Sequence, residues 1–269
     1  MEAARFVSDD PAFHEDVLRR VLEVAAKLDL MQSPAAVGQW IHRQLRAITG
    51  QSDPYRCVKD RFNQVALQLL PELLSIAEAS PDPLAAAVRL VIAGNAIDSG
   101  PGNGLAPKDI HQALYRSLSD PLYGNLEGFR RAIALARSIL YLSDNAGEIV
   151  LDRLLIDRLP TEGTTLAVRG QPVINDATMF DAEAAGLHRL VKVIDNGSDA
   201  PGTILNDCSS EFCALFRKAD LIIAKEQGNY ETLSDEPKKM FFLLKVKCPV
   251  IASRVRLDIG THVILSSGF

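Results

Sequence analysis

The sequence predicts an α/β protein: a parallel sheet covered by helices on both faces, carried by the second half of the chain behind an all-helical first half. Two observations carry this reading. Up to residue 136, apolar residues recur at three and four along stretches opened by Asp-Pro or Ser-Pro, and no strand pattern is convincing. From residue 137, short runs rich in Val, Ile and Leu alternate with helix-compatible segments, as strands buried on both faces and joined by helical crossovers do. The chain therefore divides into a helical unit over 1–136 and an α/β unit over 137–269.

In the helical unit, "DPAFHEDVLRRVLEVAAKLDL" places Asp10 as an N-cap before Pro11. Its apolar face runs through Val17, Val21, Leu22, Val24, Ala25 and Leu28. "SPAAVGQWIHRQLRAITG" is opened by Ser33-Pro34 and closed by Gly50, with Trp40, Ile41 and Leu45 read as core and His42 as a solvated position. Two further Asp-Pro segments start at Asp53 and Asp82. The Gly/Pro-rich stretch over 99–109 is read as a linker or lid. It lacks the Lys-Ser/Thr of a phosphate-binding P-loop and the following helix of a dinucleotide fingerprint.

In the α/β unit the expected strands are 138–143, 164–170, 189–195, 219–225 and 248–253, with "THVILSSG" as a final one. The expected helices are 148–159, 177–185, 209–218 and 236–244.

Composition narrows the function. The 269 residues are 47% hydrophobic and 23% charged, a soluble globular balance with a substantial core. A net charge of -5 argues against a nucleic-acid binder, and no run of uncharged apolar residues is long enough to span a membrane. The acidic, polar start lacks a signal-peptide pattern, and four cysteines without Cys-x-x-Cys spacing fit reduced thiols, so a cytoplasmic location is expected. Cys208 and Cys213 read as small buried hydrophobes, and His111, His188 and His262 as isolated residues.

Ligands of open parallel sheets bind beyond the carboxyl ends of the strands. The first expected strand ends on Ser143, Asp144 and Asn145, with Glu148 opening the next helix. The second leads into Asn175, Asp176 and Asp181, and the fourth into Lys225, Gly228 and Asn229. Lys245 and Lys247 precede the fifth. Asp144 and Asp176 are separated by about one crossover, which sets them on neighbouring loops. Two carboxylates and amide oxygens suit a hard divalent cation such as Mg²⁺ or Mn²⁺, and no His/Cys cluster of the kind zinc prefers is present. A lysine beside Gly-Asn backbone is a phosphate-binding combination, so the rim points to phosphoryl chemistry. Taken alone, each loop is better explained by turn formation and capping than by catalysis: Asp181 fits a helix start, and Arg169 and Lys192 fit ordinary strand-end charges.

Together "SDNAGE" (143–148), "RGQPVINDATMFDA" (169–182), "KEQGNYETL" (225–233) and "KVKCPVIA" (245–252) resemble the domain-of-unknown-function-89 family, the damage-control phosphatases. "SDPYRCVKDRFNQVAL" and "AVRLVIAGNAIDSG" extend the resemblance through the helical unit, closest to the stand-alone microbial members. It implies a Rossmann-like three-layer α/β/α parallel sheet with an N-terminal all-helical domain. It also implies a phosphatase dependent on a divalent metal (Mn²⁺, Co²⁺, Ni²⁺ or Mg²⁺) acting on a small phosphorylated metabolite. The resemblance puts the metal on Asp144, Asn145 and Asp176, and the substrate phosphate on the Lys225-to-Asn229 loop and Lys247. One departure stands out: relatives carry Lys-Gly where this chain has Lys225-Glu226, and the Glu is expected to point away from the phosphate or to change substrate preference.

The leading mechanism is metal-assisted hydrolysis of a phosphomonoester, with Lys225, Asn175 and the amides around Gly228 and Asn229 on the substrate, and Glu148 or Asp181 as general base. An S-adenosylmethionine-dependent methyltransferase is a second reading, since an acid at a strand end can bind a ribose, although the first loop lacks Gly-x-Gly. A non-catalytic phosphometabolite-binding protein is a third.

Overall fold

The computed structural model describes residues 2–27, 29, 32–97 and 107–268. Leu28 and the stretch 98–106, which holds most of the expected linker or lid, lie outside the described residues. The first half contains α1 (Glu2–Arg5), α2 (Pro11–Ala25), α3 (Pro34–Thr49), α4 (Arg56–Ala79), α5 (Pro83–Ala93) and α6 (Pro107–Ser117). Starts and stops follow local chemistry. Ser33 and Asp82 cap α3 and α5 by accepting from Ala36 N and Ala85 N, each ahead of a proline, and Gly50 ends α3 at φ 67. His42 differs from its solvated reading: it is half-buried beside Tyr55, and burial together with Arg46 lowers its pKa to about 4. Leu22 stays 57% exposed, while Val17 and Leu45 close a small core with Ala4.

A strand does occur before residue 136. β1 (Leu122–Gly124) is too short to show a period in sequence, and α7 (Leu126–Leu135) follows it. The second half then runs β2 (Ile139–Leu142), α8 (Glu148–Ile156), β3 (Thr164–Val168), α9 (Met179–Ala184), β4 (Lys192–Asp195), α10 (Ser210–Lys218), β5 (Leu221–Lys225), α11 (Glu226–Leu233), β6 (Met240–Lys245), α12 (Pro249–Val255) and β7 (His262–Ser267).

Two expected elements change places. The segment expected as a helix over 236–244 holds strand β6, and the strand expected over 248–253 is helix α12. A continuous apolar run such as "MFFLL" has no period that separates a buried strand from a buried helix. Pro249 decides the second case, because proline suits a first helical position and lacks the donor a central strand needs. Lys247 therefore lies just beyond the carboxyl end of β6 and not ahead of a strand.

The seven strands form one sheet in the order β1-β7-β6-β5-β2-β3-β4, parallel throughout except where β7 meets β6. Alternation along the strands feeds two cores. Tyr141, Leu166, Ile223 and Phe241 face a layer containing α4, α5, α7 and α8, and Phe129 of α7 meets Phe241 edge-on at 5.0 Å. Leu140, Ile222, Phe242 and Leu244 face α10, α11 and α12 through Phe212, Leu233 and Ile251. The result is an α/β/α sandwich in which the first-half helices α4, α5 and α7 share one outer layer with α8, and the larger core runs across residue 136. Among the described residues no helix is long and apolar enough to cross a membrane.

Candidate active site at the carboxyl rim

From β2 the chain moves outward to β3 and β4, then returns to place β5 on the other side of β2. Crossovers therefore diverge at the β2–β5 boundary, the place where open α/β sheets bind ligands. The loops at this rim are stitched by backbone. Ala177 N donates to Asp144 O (2.7 Å) and Ala146 N to Asn175 O (2.8 Å), which closes an isolated antiparallel bridge between Asn145 and Asp176. Residues 31 apart in sequence thus become neighbours.

Arg169 lies between the two acids. Its Nε donates to Asp176 Oδ2 at 2.7 Å and its Nη2 to Asp144 Oδ1 at 3.1 Å, and Nη1 reaches Thr203 Oγ1 and Asn229 Oδ1. Read from sequence as an ordinary strand-end charge, Arg169 is only 3% exposed and is the cation common to both carboxylates. Burial, and after it the charge of Asp176, holds the Asp144 carboxyl well above the usual carboxylate range, with Arg169 acting the other way. Burial also raises Asp176 against the pull of Arg169.

Lys225 is fully buried at the end of β5. Its ammonium donates to Val91 O (3.1 Å), Asp152 Oδ1 (2.8 Å) and Glu148, which takes up all three of its protons. Burial works against this charge, and Asp152, Glu148 and Glu226 outweigh it, so its pKa is raised. Tyr141 donates to the same Asp152 oxygen at 2.8 Å, and burial lifts the Asp152 carboxyl to about 6. Glu148 accepts from Lys225 through Oε1, while Oε2 has a long 3.4 Å contact from Asn145 Nδ2.

Asn229, also fully buried, straps the rim. Its Nδ2 donates to Ser143 O and Lys225 O, and its Oδ1 accepts from Thr203 Oγ1 at 2.8 Å. Gly228 packs where a Cβ would meet Pro201 O at 2.8 Å. Asn175 is buried and contributes its carbonyl to the stitching. Lys247, just past β6, pairs with Glu226 Oε2 at 2.8 Å with its side chain 37% exposed. Glu226 does not point into solvent: it is fully buried, and its backbone is left-handed at φ 62.

Asp181 has a different environment. Its Oδ1 accepts from Arg56 (2.7 Å) and Asn63 (2.9 Å), its Oδ2 from Thr178 N and Oγ1, and Lys59 stands 3.3 Å away. Burial acts to raise its pKa, but Lys59, Arg56 and the Thr178 amide outweigh it and hold the carboxyl below its ordinary value.

The first half enters the site through α4, which sequence reasoning did not single out. Asn63 accepts from Gly147 N at 2.7 Å and Lys59 is completely buried. The available signal was a lysine and an asparagine four apart on the face that also carries Phe62, Ala66 and Leu70. Gly147 (φ 77) is required there, since a Cβ would lie 2.8 Å from Phe62 Cβ.

The donor set fits a hard cation. Asp144 Oδ2, Asp176 Oδ1 and Asn145 Oδ1 accept no hydrogen bond from the described residues, and all three are oxygens. Carboxylates crowd the buried rim: Asp144, Glu148, Asp152, Asp176 and Glu226 pair with Arg169, Lys225 and Lys247, and Lys59 also acts on Asp176. Among the described residues no group of three or more His, Cys, Asp or Glu side chains is placed to hold a metal, so an ion here would rest on two carboxylates and an amide.

The chain matches a family model described as damage-control phosphatase ARMT1-like domain over residues 1–263. A damage-control phosphatase of Pyrococcus horikoshii is 34% identical over 267 residues, 94% of this chain and 90% of that one. Another, from Archaeoglobus fulgidus, is 35% identical over 270 residues, 97% and 92% of the two chains. The crystal structure of a DUF89 family protein from Pyrococcus horikoshii matches with a TM-score of 0.84 at 33% identity, covering 98% of this chain and 93% of that one. With sequence and architecture agreeing over nearly its whole length, the chain belongs to the damage-control phosphatase ARMT1-like domain family, and that membership supports a phosphatase role.

Proposed function

We propose that this chain is a divalent-metal-dependent phosphatase hydrolysing small phosphomonoesters, with sugar phosphates and related phosphometabolites as the substrate class. The observation that carries the reading is the stitched pair of loops that sets Asp144 and Asp176 around one point of the rim, each with one oxygen that accepts no hydrogen bond from the described residues. Asp144, Asn145 and Asp176 would hold the ion, Mn²⁺, Co²⁺, Ni²⁺ or Mg²⁺. When bound, it supplies Lewis acidity, offsetting phosphate charge and acidifying water.

The protein's own groups divide the remaining work. Lys247 and the first amides of α11, around Gly228, take phosphate oxygens and offset charge that grows in the transition state. Lys225, with its protons committed inward, positions Glu148 and Asp152 instead of meeting substrate. Of the two acids able to accept the water's proton, Glu148 keeps Oε2 nearly unengaged. Asp181 has both oxygens occupied and a lowered pKa, so we assign the base to Glu148 and a clamping role to Asp181. Asn229 and Asn175 fix the loops that carry these groups.

The methyltransferase reading gains no support from the first loop, where Gly147 serves contact with α4 instead of approach by a nucleotide. Turnover separates an enzyme from a phosphometabolite-binding protein. Phosphate release from a generic phosphomonoester, measured with each of the four ions and with a chelator, should require metal. Asp144→Ala should lower it by about a hundredfold or more. Metal-stimulated activity surviving in Asp144→Ala, or full activity in chelator, would remove the proposal.

A further inference from the structure

Glu226 combines three features that ordinary packing does not explain. It turns the chain from β5 into α11 in a left-handed conformation that disfavours any residue with a Cβ. Its carboxylate is fully buried, and neither Oε1 nor Oε2 has a hydrogen-bond partner among the described residues. The group that meets it is the Lys247 ammonium, 2.8 Å from Oε2, whose own side chain is 37% exposed. The buried acid thus sits behind a cation that faces the open side of the rim, and that cation also feels the charge of Asp144.

We propose that Glu226 is an internal competitor for Lys247: a phosphate entering the site draws the ammonium away from the buried carboxylate, which takes up a proton as the phosphate binds. The inference rests on the phosphatase reading, in which Lys247 meets the phosphate. A buried carboxylate deprived of its cation cannot keep its charge cheaply, whereas a protonated one leaves Lys247 wholly to the ligand. The charged groups around Glu226 are Lys247 after β6, Lys225 on β5 and Glu148 on α8. Burial raises the Glu226 carboxyl to about 7 with help from Glu148, although Lys247 and Lys225 draw it down, so the proton is available near neutrality. The residue thereby makes affinity for phosphate esters depend on pH. Binding is unimpeded on the acid side, where Glu226 is already neutral, and penalised on the alkaline side, where it must be reprotonated.

Calorimetric titration of the full chain with inorganic phosphate, in the presence of Mg²⁺, tests this at pH 6 and pH 8 in two buffers of different protonation enthalpy. Comparing wild type with Glu226→Gln removes proton changes that belong to phosphate itself. At pH 8 the wild type should take up about one proton more per phosphate than Glu226→Gln, and the variant should bind about tenfold more tightly; at pH 6 both differences should vanish. Glu226→Gly, which suits the left-handed backbone, should behave like Glu226→Gln and guards against a folding defect in either variant. Equal proton counts at pH 8, or weaker binding by both variants, would overturn the inference while leaving the phosphatase reading in place. Wild-type protein that binds no phosphate at either pH would remove both.

Discussion

Arg169 holds the two acids of the rim apart from solvent and together with each other. A buried cation shared by two carboxylates is costly to lose, because both acids are then left without a partner in a largely buried region. Arg169→Met should therefore destabilise the metal-free protein by about 3–5 kcal/mol. If the rim takes a divalent ion, adding Mg²⁺ or Mn²⁺ should restore more stability to this variant than to wild type, since binding to the folded state alone raises its stability. Urea denaturation with and without the ion reads the difference; an equal metal effect in both proteins would mean that the ion does not lie between Asp144 and Asp176. The same scale shows what sequence hides. Asp144 and Asp176 were legible as polar residues at strand tips where apolar runs stop. Arg169 was not, because an arginine at a strand end most simply reaches solvent, and only burial reveals otherwise. Nor does a sequence reveal that Lys225 turns inward, since direction at the last residue of a strand depends on which helix covers that face.

Among the elements, α4 does two things at once. Its apolar face packs on the sheet side of the sandwich, and Lys59 and Asn63, one turn apart on that face, reach the Asp181 clamp and the start of α8. Asn63→Ala would leave the buried Gly147 N–H without an acceptor and remove one donor to Asp181. It should cost about 1–3 kcal/mol, and activity should fall through kcat, because the loop bearing Asp144 and Asn145 loses its anchor. Steady-state kinetics beside thermal unfolding would check both; wild-type kcat in a destabilised variant would show that α4 supports the fold alone. The strand-helix alternation of the second half was legible from its runs of Val, Ile and Leu. The exchange of β6 and α12 came from an apolar run without a period and from a proline whose positional meaning outweighs the β-propensity of "VIA". Helix α11, with Gly228 inside it, offered no helical pattern to find.

Across the whole molecule, the two halves are joined by charge as well as by the core. Gln39, Arg43 and Arg46 of α3 converge on Asp199 beyond β4; Arg43 and Gln39 also reach Asp207, and Arg46 Nη1 donates to Pro172 O. Burial acts to raise the Asp199 pKa, but hydrogen bonds from Arg43 and Gln39 outweigh it and hold the carboxyl below its ordinary value. A group depressed on folding contributes stability that is fully present above its unfolded pKa, about 4 for an aspartate, and is lost as pH falls through the folded value. Asp199→Asn should therefore be less stable than wild type at pH 7, and the gap should close as the pH drops below about 4. Denaturation midpoints across that range measure it, and a gap that widens toward acid would contradict the sign. The sequence changes pattern near residue 136, while the larger core draws residues from both sides of that point. That first-half helices share a layer of the sandwich with α8 was not legible, because an amphipathic face records that it is covered without recording by what.

The seam between the first two rim loops is made of peptide groups: Ala177 N on Asp144 O and Ala146 N on Asn175 O. Such a join is indifferent to lettering. The seam itself asks nothing of the side chains at 144, 145 and 176, so, if the rim takes a divalent ion, substitutions there that keep a partner for Arg169 could change which ion it prefers while the scaffold keeps its shape.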